Sequence, residues 1–233
     1  MVMSSFVQRT YDQLSQDLAL NNNPAVILVA WGGISGADMT HLCTFDIPLI
    51  SNIPNIVYLA PQTKEEYLDM LSWSLEQQSH PVVIRMPKDV ISLDENYVSF
   101  DYSQLNTYQV QEKGEKIALI SAGSFYTLGK QVSNLLKEKG ITPTLINPRY
   151  LTGLDTDLLE KLKENHALVI TLEDGELDGG FGEKIARFYA STNIKTLCFG
   201  AFKEFTDRVP LEELYKKYHL TPEQIVQDAL NAL

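Results

Sequence analysis

The sequence predicts an α/β protein built from two parallel-sheet α/β domains. Short runs that are apolar throughout, such as 25–31 and 117–120, alternate with longer segments whose apolar residues have helical spacing. Uninterrupted apolar runs are typical of strands covered on both faces, and the alternation implies crossover helices between parallel strands. The pattern stops between 88 and 114 and then resumes. We therefore predict one domain over 1–105 and a second over 106–233.

The first domain is predicted to begin with a helix over 4–20, which ends before Pro24 because proline disfavours a helical conformation in the residue before it. Strands are predicted over 25–31, 56–59 and 81–86. A helix over 63–78 opens with Thr63 and Glu66 at the spacing of a capping box. Glycines at 32, 33 and 36 follow the first strand and predict a tight loop there.

The second domain repeats the alternation. Strands are predicted over 117–121, 142–147, 167–172 and 195–199. Helices are predicted over 126–139, 155–165 and 182–189, and Gly140 is placed to end the first of them. Two further helices, over 210–218 and 221–233, complete the prediction.

Composition excludes several classes of function. The 233 residues include 19 Lys and Arg against 30 Asp and Glu, a formal charge of −11, which argues against general nucleic-acid binding. Apolar runs are far shorter than the ~20 residues of a membrane span, so we expect no membrane insertion. The first residues lack the features of a secretory signal, and two cysteines cannot form a disulfide framework. We therefore expect a cytoplasmic protein.

Ligands of open α/β sheets bind beyond the carboxyl ends of the strands, which selects 32–41, 85–88 and 173–182. The first segment contains Asp38 and His41, and an imidazole there can donate to an oxyanion or move a proton near neutral pH. In the second, Arg85 and Lys88 are two cations that could hold a substrate phosphate. The four histidines lack metal-ligand spacing, so no metal site is predicted.

The glycine loop leaves other interpretations open. It could be purely structural, or a dinucleotide-binding loop, although the G-x-G-x-x-G spacing is missing. Ser35 could be the nucleophile of a hydrolase that uses Asp174 and His219, although no helix is predicted directly after it. Cys43 could be a thiol nucleophile, although a buried inert cysteine is the commoner case.

Taken in order, the motifs resemble the 1-deoxy-D-xylulose-5-phosphate synthase family of transketolase-like thiamine-diphosphate enzymes, in its C-terminal portion only. The likeness covers essentially the whole chain. It includes Gly-Ala-Asp at 36–38 with Thr-His at 40–41, Arg-Met-Pro-Lys at 85–88, Asn-Pro-Arg at 147–149 and Glu-Asp at 173–174. Other matching segments are 6–13, 45–46, 53–55, 60–61, 150–155 and 179–182.

The resemblance implies a pyrimidine-binding fold, truncated at its N-terminus, and a transketolase C-terminal domain that mainly supports dimer architecture. It implies ketol transfer from pyruvate to an aldehyde such as glyceraldehyde 3-phosphate, with release of CO2. Phe6 and Arg9 match the positions that hold the aminopyrimidine half of thiamine diphosphate. His41 and Asp38 match catalytic positions near the acceptor, and Arg85 and Lys88 match positions near the substrate.

The resemblance also implies what this sequence does not contain. The catalytic glutamate of the family and its motif for Mg2+ and diphosphate lie upstream of what is residue 1 here. We therefore expect a partner, an N-terminal thiamine-diphosphate-binding segment or subunit, together with a homodimer and inactivity of this chain alone. Ala30-Trp31 replaces an Asp-Arg pair of the family, and Lys88 replaces an arginine. The alternative is a non-catalytic binding or regulatory module on the same scaffold.

Overall fold

The computed structural model describes residues 1–87, 93 and 97–233, and these residues form two sheets. The first sheet contains β1 (Val2–Met3), β2 (Ala25–Gly32), β3 (Val57–Leu59) and β4 (Pro81–Pro87). Its order is β1-β2-β4-β3, and every neighbouring pair is parallel. The predicted parallel sheet of the first half is therefore confirmed.

The segment 4–20 is helical but irregular, which differs from the single regular helix that its spacing predicts. It consists of α1 (Ser4–Val7), a 3-10 helix (Gln8–Thr10) and a π-helix (Gln13–Ala19). Thr10 Oγ1 donates to the Val7 carbonyl at 2.6 Å, a local bond that competes with regular helix hydrogen bonding. The remaining helices are α2 (Asp46–Ser51), which was not predicted, and α3 (Lys64–Glu76).

The second sheet has the order β5-β7-β6-β8-β9. Its strands are β5 (Gln109–Glu112), β6 (Lys116–Ser121), β7 (Thr144–Asn147), β8 (His166–Glu176) and β9 (Lys195–Ala201). All pairs are parallel except β5 with β7, which is antiparallel. The helices are α4 (Tyr126–Glu138), α5 (Thr156–Leu162), α6 (Phe181–Tyr189), α7 (Leu211–Lys217) and α8 (Pro222–Ala232).

A backbone seam joins the two sheets. Leu59 forms an antiparallel bridge with Tyr150. On either side of it, the amide of Ala60 donates to the Arg149 carbonyl and the amide of Leu151 donates to the Tyr58 carbonyl, both at 2.8 Å. One hydrophobic cluster also contains buried residues from both units. The carboxyl ends of β2 and β4 consequently lie against the second unit. No helix in the described part of the chain has the length and apolarity to cross a membrane.

Candidate functional site

The glycine-rich loop that follows β2 is held by both units. Within the loop, the Gly33 amide donates to the Cys43 carbonyl at 2.8 Å. From the second unit, the Glu176 amide donates to the Thr44 carbonyl at 3.0 Å and the Arg208 amide to the Ala37 carbonyl at 2.9 Å. The position of the loop therefore depends on residues more than 100 positions further along the chain.

Asp38, Thr40 and His41 form a hydrogen-bonded cluster on this loop. The Thr40 amide donates to Asp38 Oδ1 at 2.9 Å, and the Thr40 hydroxyl donates to the same oxygen. These bonds, with one from His41, lower the pKa of Asp38 to about 2, so the group is an anion at neutral pH. His41 Nδ1 lies 2.8 Å from Thr40 Oγ1 and 3.1 Å from Asp38 Oδ1. Because both oxygens accept, Nδ1 carries the proton and Nε2 remains for a ligand.

Phe6 and Arg9 lie beside this cluster, on the first turns of the N-terminal helical segment. The Phe6 ring packs edge-on against His41, with 5.6 Å between ring centroids. Both residues are exposed and line a cleft of about 560 Å³. Two residues that sequence reasoning missed, Phe45 and Phe205, complete its aromatic wall and are 6.1 Å apart in an edge-on arrangement. Phe205 stands in a polar loop of the second unit and is 77% exposed, and an aromatic residue within the charged stretch 203–208 was the available signal.

A second cavity has a volume of about 240 Å³. Its lining includes Trp31, Asp38 and His41. Trp31 is the extra residue of a β-bulge, because Ala30 pairs with Met86 while Gly32 pairs with the next residue of β4. The backbone of Trp31 is left-handed, with φ at 62°, a conformation that costs an ordinary residue about 1–2 kcal/mol.

Arg85, which the sequence predicts to bind substrate, lines neither of these two cavities. The residue is only 3% exposed. Its Nε donates to Asp46 Oδ2 at 2.7 Å, its Nη2 to Asp46 Oδ1 at 3.3 Å, and its Nη1 to Asp174. All three nitrogens are thus held by buried carboxylates, and the guanidinium is enclosed instead of facing a ligand. Lys88, the other expected substrate-binding residue, lies outside the described residues.

The Arg85–Asp174 pair packs closely against the glycine loop. A Cβ on Gly32 would come within 2.7 Å of Arg85 Nε, and a Cβ on Gly33 within 2.6 Å of Asp174 Oδ2. Gly33 also has φ at +128°, which favours glycine.

Glu173, the first carboxylate after the apolar run of β8, accepts from the amides of Phe181 and Gly182 at 2.9 and 2.7 Å. Burial raises the pKa of Glu173 to about 7.

The other interpretations of the loop find no matching geometry among the described residues. Asp174 is bound by Arg85, while His219 is exposed and pairs with Asp228 at 3.0 Å, so no triad with Ser35 is assembled. Cys43 is buried, and its thiol donates to the His41 carbonyl at 3.3 Å. Within the described part of the chain, no group of three His, Cys, Asp or Glu side chains is arranged to hold a metal ion.

Comparison with known proteins identifies the family. Residues 1–92 match the model of the transketolase pyrimidine-binding domain, and residues 106–225 match that of the transketolase C-terminal domain. This chain belongs to the transketolase family. The pyrimidine-binding domain places it among thiamine-diphosphate proteins, and both the fold class and the predicted resemblance are confirmed.

Curated relatives of this transketolase-family chain include two named 1-deoxy-D-xylulose-5-phosphate synthase. That of Clostridium tetani is 34% identical over 100% of this chain, and that of Symbiobacterium thermophilum is 33% identical over 98%. The chain spans 38% and 35% of their lengths, respectively.

Solved structures share the transketolase fold. A chain described as "Split gene transketolase, inactive beta4 tetramer" is 19% identical with a TM-score of 0.84, and the match covers 100% of this chain and 74% of that one. A transketolase from Pichia stipitis is 17% identical with a TM-score of 0.77, and the match covers 99% and 33%. At these identities the likeness concerns the fold alone.

The residues of the larger cleft fit the aminopyrimidine half of thiamine diphosphate. A planar heterocycle needs a flat apolar wall and a polar group at its edge. Phe6, Phe45 and Phe205 supply the wall, and Arg9 supplies an exposed guanidinium beside it. The diphosphate and its metal would need other groups, since the described residues offer no acidic cluster for them.

Proposed function

We propose that this chain is the C-terminal part or subunit of a 1-deoxy-D-xylulose-5-phosphate synthase-like transferase. The reaction joins a two-carbon unit from pyruvate to an aldehyde, with loss of CO2 and uptake of one proton. The observation that carries this proposal is the aromatic cleft that adjoins the Asp38–Thr40–His41 cluster. The names of the curated relatives support it, because the alignment with each of them covers nearly the whole length of this chain.

Phe6 and Arg9 are the proposed cofactor-binding residues. When bound, thiamine diphosphate supplies the carbanion chemistry of the reaction. The exposed ring of Phe6 would pack on the aminopyrimidine face, and Arg9 would donate to its edge. Because Phe6 also contacts His41, a ring held on Phe6 lies close to the proposed proton donor.

His41 and Asp38 are the proposed catalytic residues. Nδ1 of His41 is occupied by Asp38 and Thr40, so Nε2 is the nitrogen that would hold or deliver a proton at the aldehyde oxygen. Asp38 remains ionised and therefore stabilises the imidazolium form when His41 takes up a proton. The pair would neutralise the alkoxide that develops at the acceptor.

The rest of the active site would come from a partner. An N-terminal segment or subunit would hold Mg2+ and the diphosphate and would supply the catalytic glutamate, so this chain alone is expected to be inactive. We also propose that it forms a homodimer, as the resemblance implies. The small-molecule substrate would enter where the cavities open to solvent at the carboxyl end of β2.

Reconstitution tests the proposal. The chain is mixed with the remaining segment of the Clostridium tetani relative, and pyruvate decarboxylation is followed with Mg2+ and thiamine diphosphate. We expect turnover in the mixture and none with this chain alone. Tight binding of magnesium thiamine diphosphate by the isolated chain would contradict the division of the site. Small-molecule binding without turnover in any mixture would favour the non-catalytic alternative.

A substitution at Phe6 tests the cofactor contact in the same mixture. Phe6→Ala should raise the apparent Kd for thiamine diphosphate about 3- to 10-fold, the range expected for one lost aromatic contact. Phe6→Tyr should stay close to the original value. Phe202→Ala is the matched control, because Phe202 is a partly exposed phenylalanine that does not line the cleft.

A further inference from the structure

The side chain of Trp31 is placed in the smaller cavity by an unusual piece of backbone. The bulge after Ala30 inserts Trp31 as an unpaired residue, and its left-handed φ of 62° is strained for any residue other than glycine. Bulges of this kind re-aim side chains next to functional sites. The indole is 52% exposed and lines the cavity with Asp38 and His41. The strained backbone thus sets a large apolar ring beside the proposed proton donor.

The chemistry of this cavity disfavours a phosphate. Among the residues that the structure describes, its lining consists of Trp31, Ser35, Ala37, Asp38, His41 and Cys43, and this described set contains neither lysine nor arginine. Asp38 is ionised at neutral pH. A phosphate monoester carries nearly two negative charges at pH 7 and would meet the Asp38 carboxylate, and none of the described lining residues offers it a cation.

The size of the cavity suits one ring or a short alkyl chain. Its volume is about 240 Å³, whereas a cavity of about 150 Å³ lined by apolar side chains is enough to bind benzene. The extra volume leaves room for a carbonyl group next to His41. An indole face also contributes attraction to a second aromatic ring beyond simple area burial.

We propose that Trp31 is a specificity-determining residue and that this cavity receives the tail of a neutral aldehyde, apolar or aromatic, in preference to a phosphorylated one. The inference rests on the proposed function, since it names the class of acceptor for the same site. It assigns the Trp31 ring to the acceptor's tail and the His41 imidazole to its carbonyl oxygen.

Binding to the whole chain tests the proposal without requiring turnover. The chain contains two tryptophans, so incorporation of 5-fluorotryptophan gives two fluorine resonances, which Trp73→Phe assigns. Trp73 packs against Tyr102 and serves as the internal reference. The probes are benzyl alcohol, a neutral aromatic, and glycerol 3-phosphate. We expect a saturable shift of the Trp31 resonance with benzyl alcohol and at least about 10-fold weaker binding of glycerol 3-phosphate, from like-charge repulsion.

Variants separate the contribution of the ring from that of the charge. By calorimetry, Trp31→Ala should weaken benzyl alcohol binding about 3- to 10-fold, whereas Trp31→Phe retains a ring at the same backbone position and should lose less. Asp38→Asn should strengthen glycerol 3-phosphate binding. Equal or tighter binding of glycerol 3-phosphate in the original chain would overturn the proposal, as would benzyl alcohol affinity that is indifferent to Trp31→Ala.

The reconstituted mixture distinguishes failure of this inference from failure of the proposed function. Pyruvate decarboxylation that proceeds, with a higher kcat/KM for glyceraldehyde 3-phosphate than for benzaldehyde, would overturn only the acceptor class. The expected result is the reverse preference, and Trp31→Arg should move it towards the phosphorylated aldehyde. Absence of decarboxylation in any mixture would count against the proposed function itself.

Discussion

Replacing Arg85 by methionine probes the buried ion group beneath the glycine loop. Arg85 is bound by Asp46 and Asp174, and all three side chains are nearly inaccessible to solvent. Removing the cation leaves two buried carboxylates without a counter-charge, although Tyr58 still donates to Asp46 and Ser124 to Asp174. Removing one member of a buried pair typically costs about 3–5 kcal/mol. Methionine fills much of the volume, so the loss comes from charge and not from a cavity.

The expected shift is measurable by urea unfolding. With a denaturant slope of about 3 kcal/mol per molar urea for a chain of this size, a loss of about 3–5 kcal/mol lowers the unfolding midpoint by about 1–1.7 M. Circular dichroism and tryptophan fluorescence should report the same shift. Arg187→Met is the matched control, because Arg187 is exposed, and it should stay within about 0.5 kcal/mol.

Neutralising the partners tests whether charge is the cause. The triple variant Arg85→Met, Asp46→Asn, Asp174→Asn contains no buried ion in this group and should recover a large part of the lost stability. A midpoint for Arg85→Met within about 0.3 M of the original chain would refute the reasoning. So would a triple variant that is no more stable than the single one.

Three further predictions follow from the same structure. Gly33→Ala should destabilise the fold by clearly more than Gly140→Ala, as measured by the thermal unfolding of the two variants. Both glycines have positive φ, but only at Gly33 would the new Cβ collide with Asp174. Burial raises the pKa of Glu173 to about 7, so folding favours its protonated form; its contribution is fullest below about pH 4.5 and is lost as the pH rises through 7. The free energy of unfolding measured with urea should therefore fall less between pH 5 and pH 8 in Glu173→Gln than in the original chain. An equal fall in both proteins would contradict the raised pKa of Glu173. Thr63 accepts from the Glu66 amide at the start of α3, so Thr63→Ala should cost about 1 kcal/mol of unfolding free energy, whereas Thr63→Ser, which keeps the hydroxyl, should cost less.

Periodicity alone was enough to predict most of the elements. Most of the buried strands contain a run of apolar residues, and this run predicted them, whereas the two-residue strand β1 is too short to show a pattern. β5 was not predicted because Gln109–Glu112 is mostly polar. It is an edge strand that pairs with β7 alone. α2 was not predicted; it contains Pro48, which disfavours a helix interior but is tolerated in the first turn, where its missing amide is not required.

The site was predictable where its residues are close in sequence. Asp38 and His41 are three positions apart, and the loop brings them into contact. The carboxylates that bind Arg85 could not be predicted, because they lie 39 and 89 positions away and no local pattern indicates a carboxylate at that distance. The role of Phe205 depends on the packing of the second unit over the first, which residue spacing does not encode.

The seam between the sheets limits how this protein can be divided or recombined. Excising residues 106–233 would leave the Arg149 carbonyl and the Leu151 amide without their backbone partners. It would also separate the buried Arg149 guanidinium from Glu66, its counter-ion in α3. A chimera with a distant homologue must therefore take both sides of the seam from the same protein. The two halves should accordingly be exchanged together.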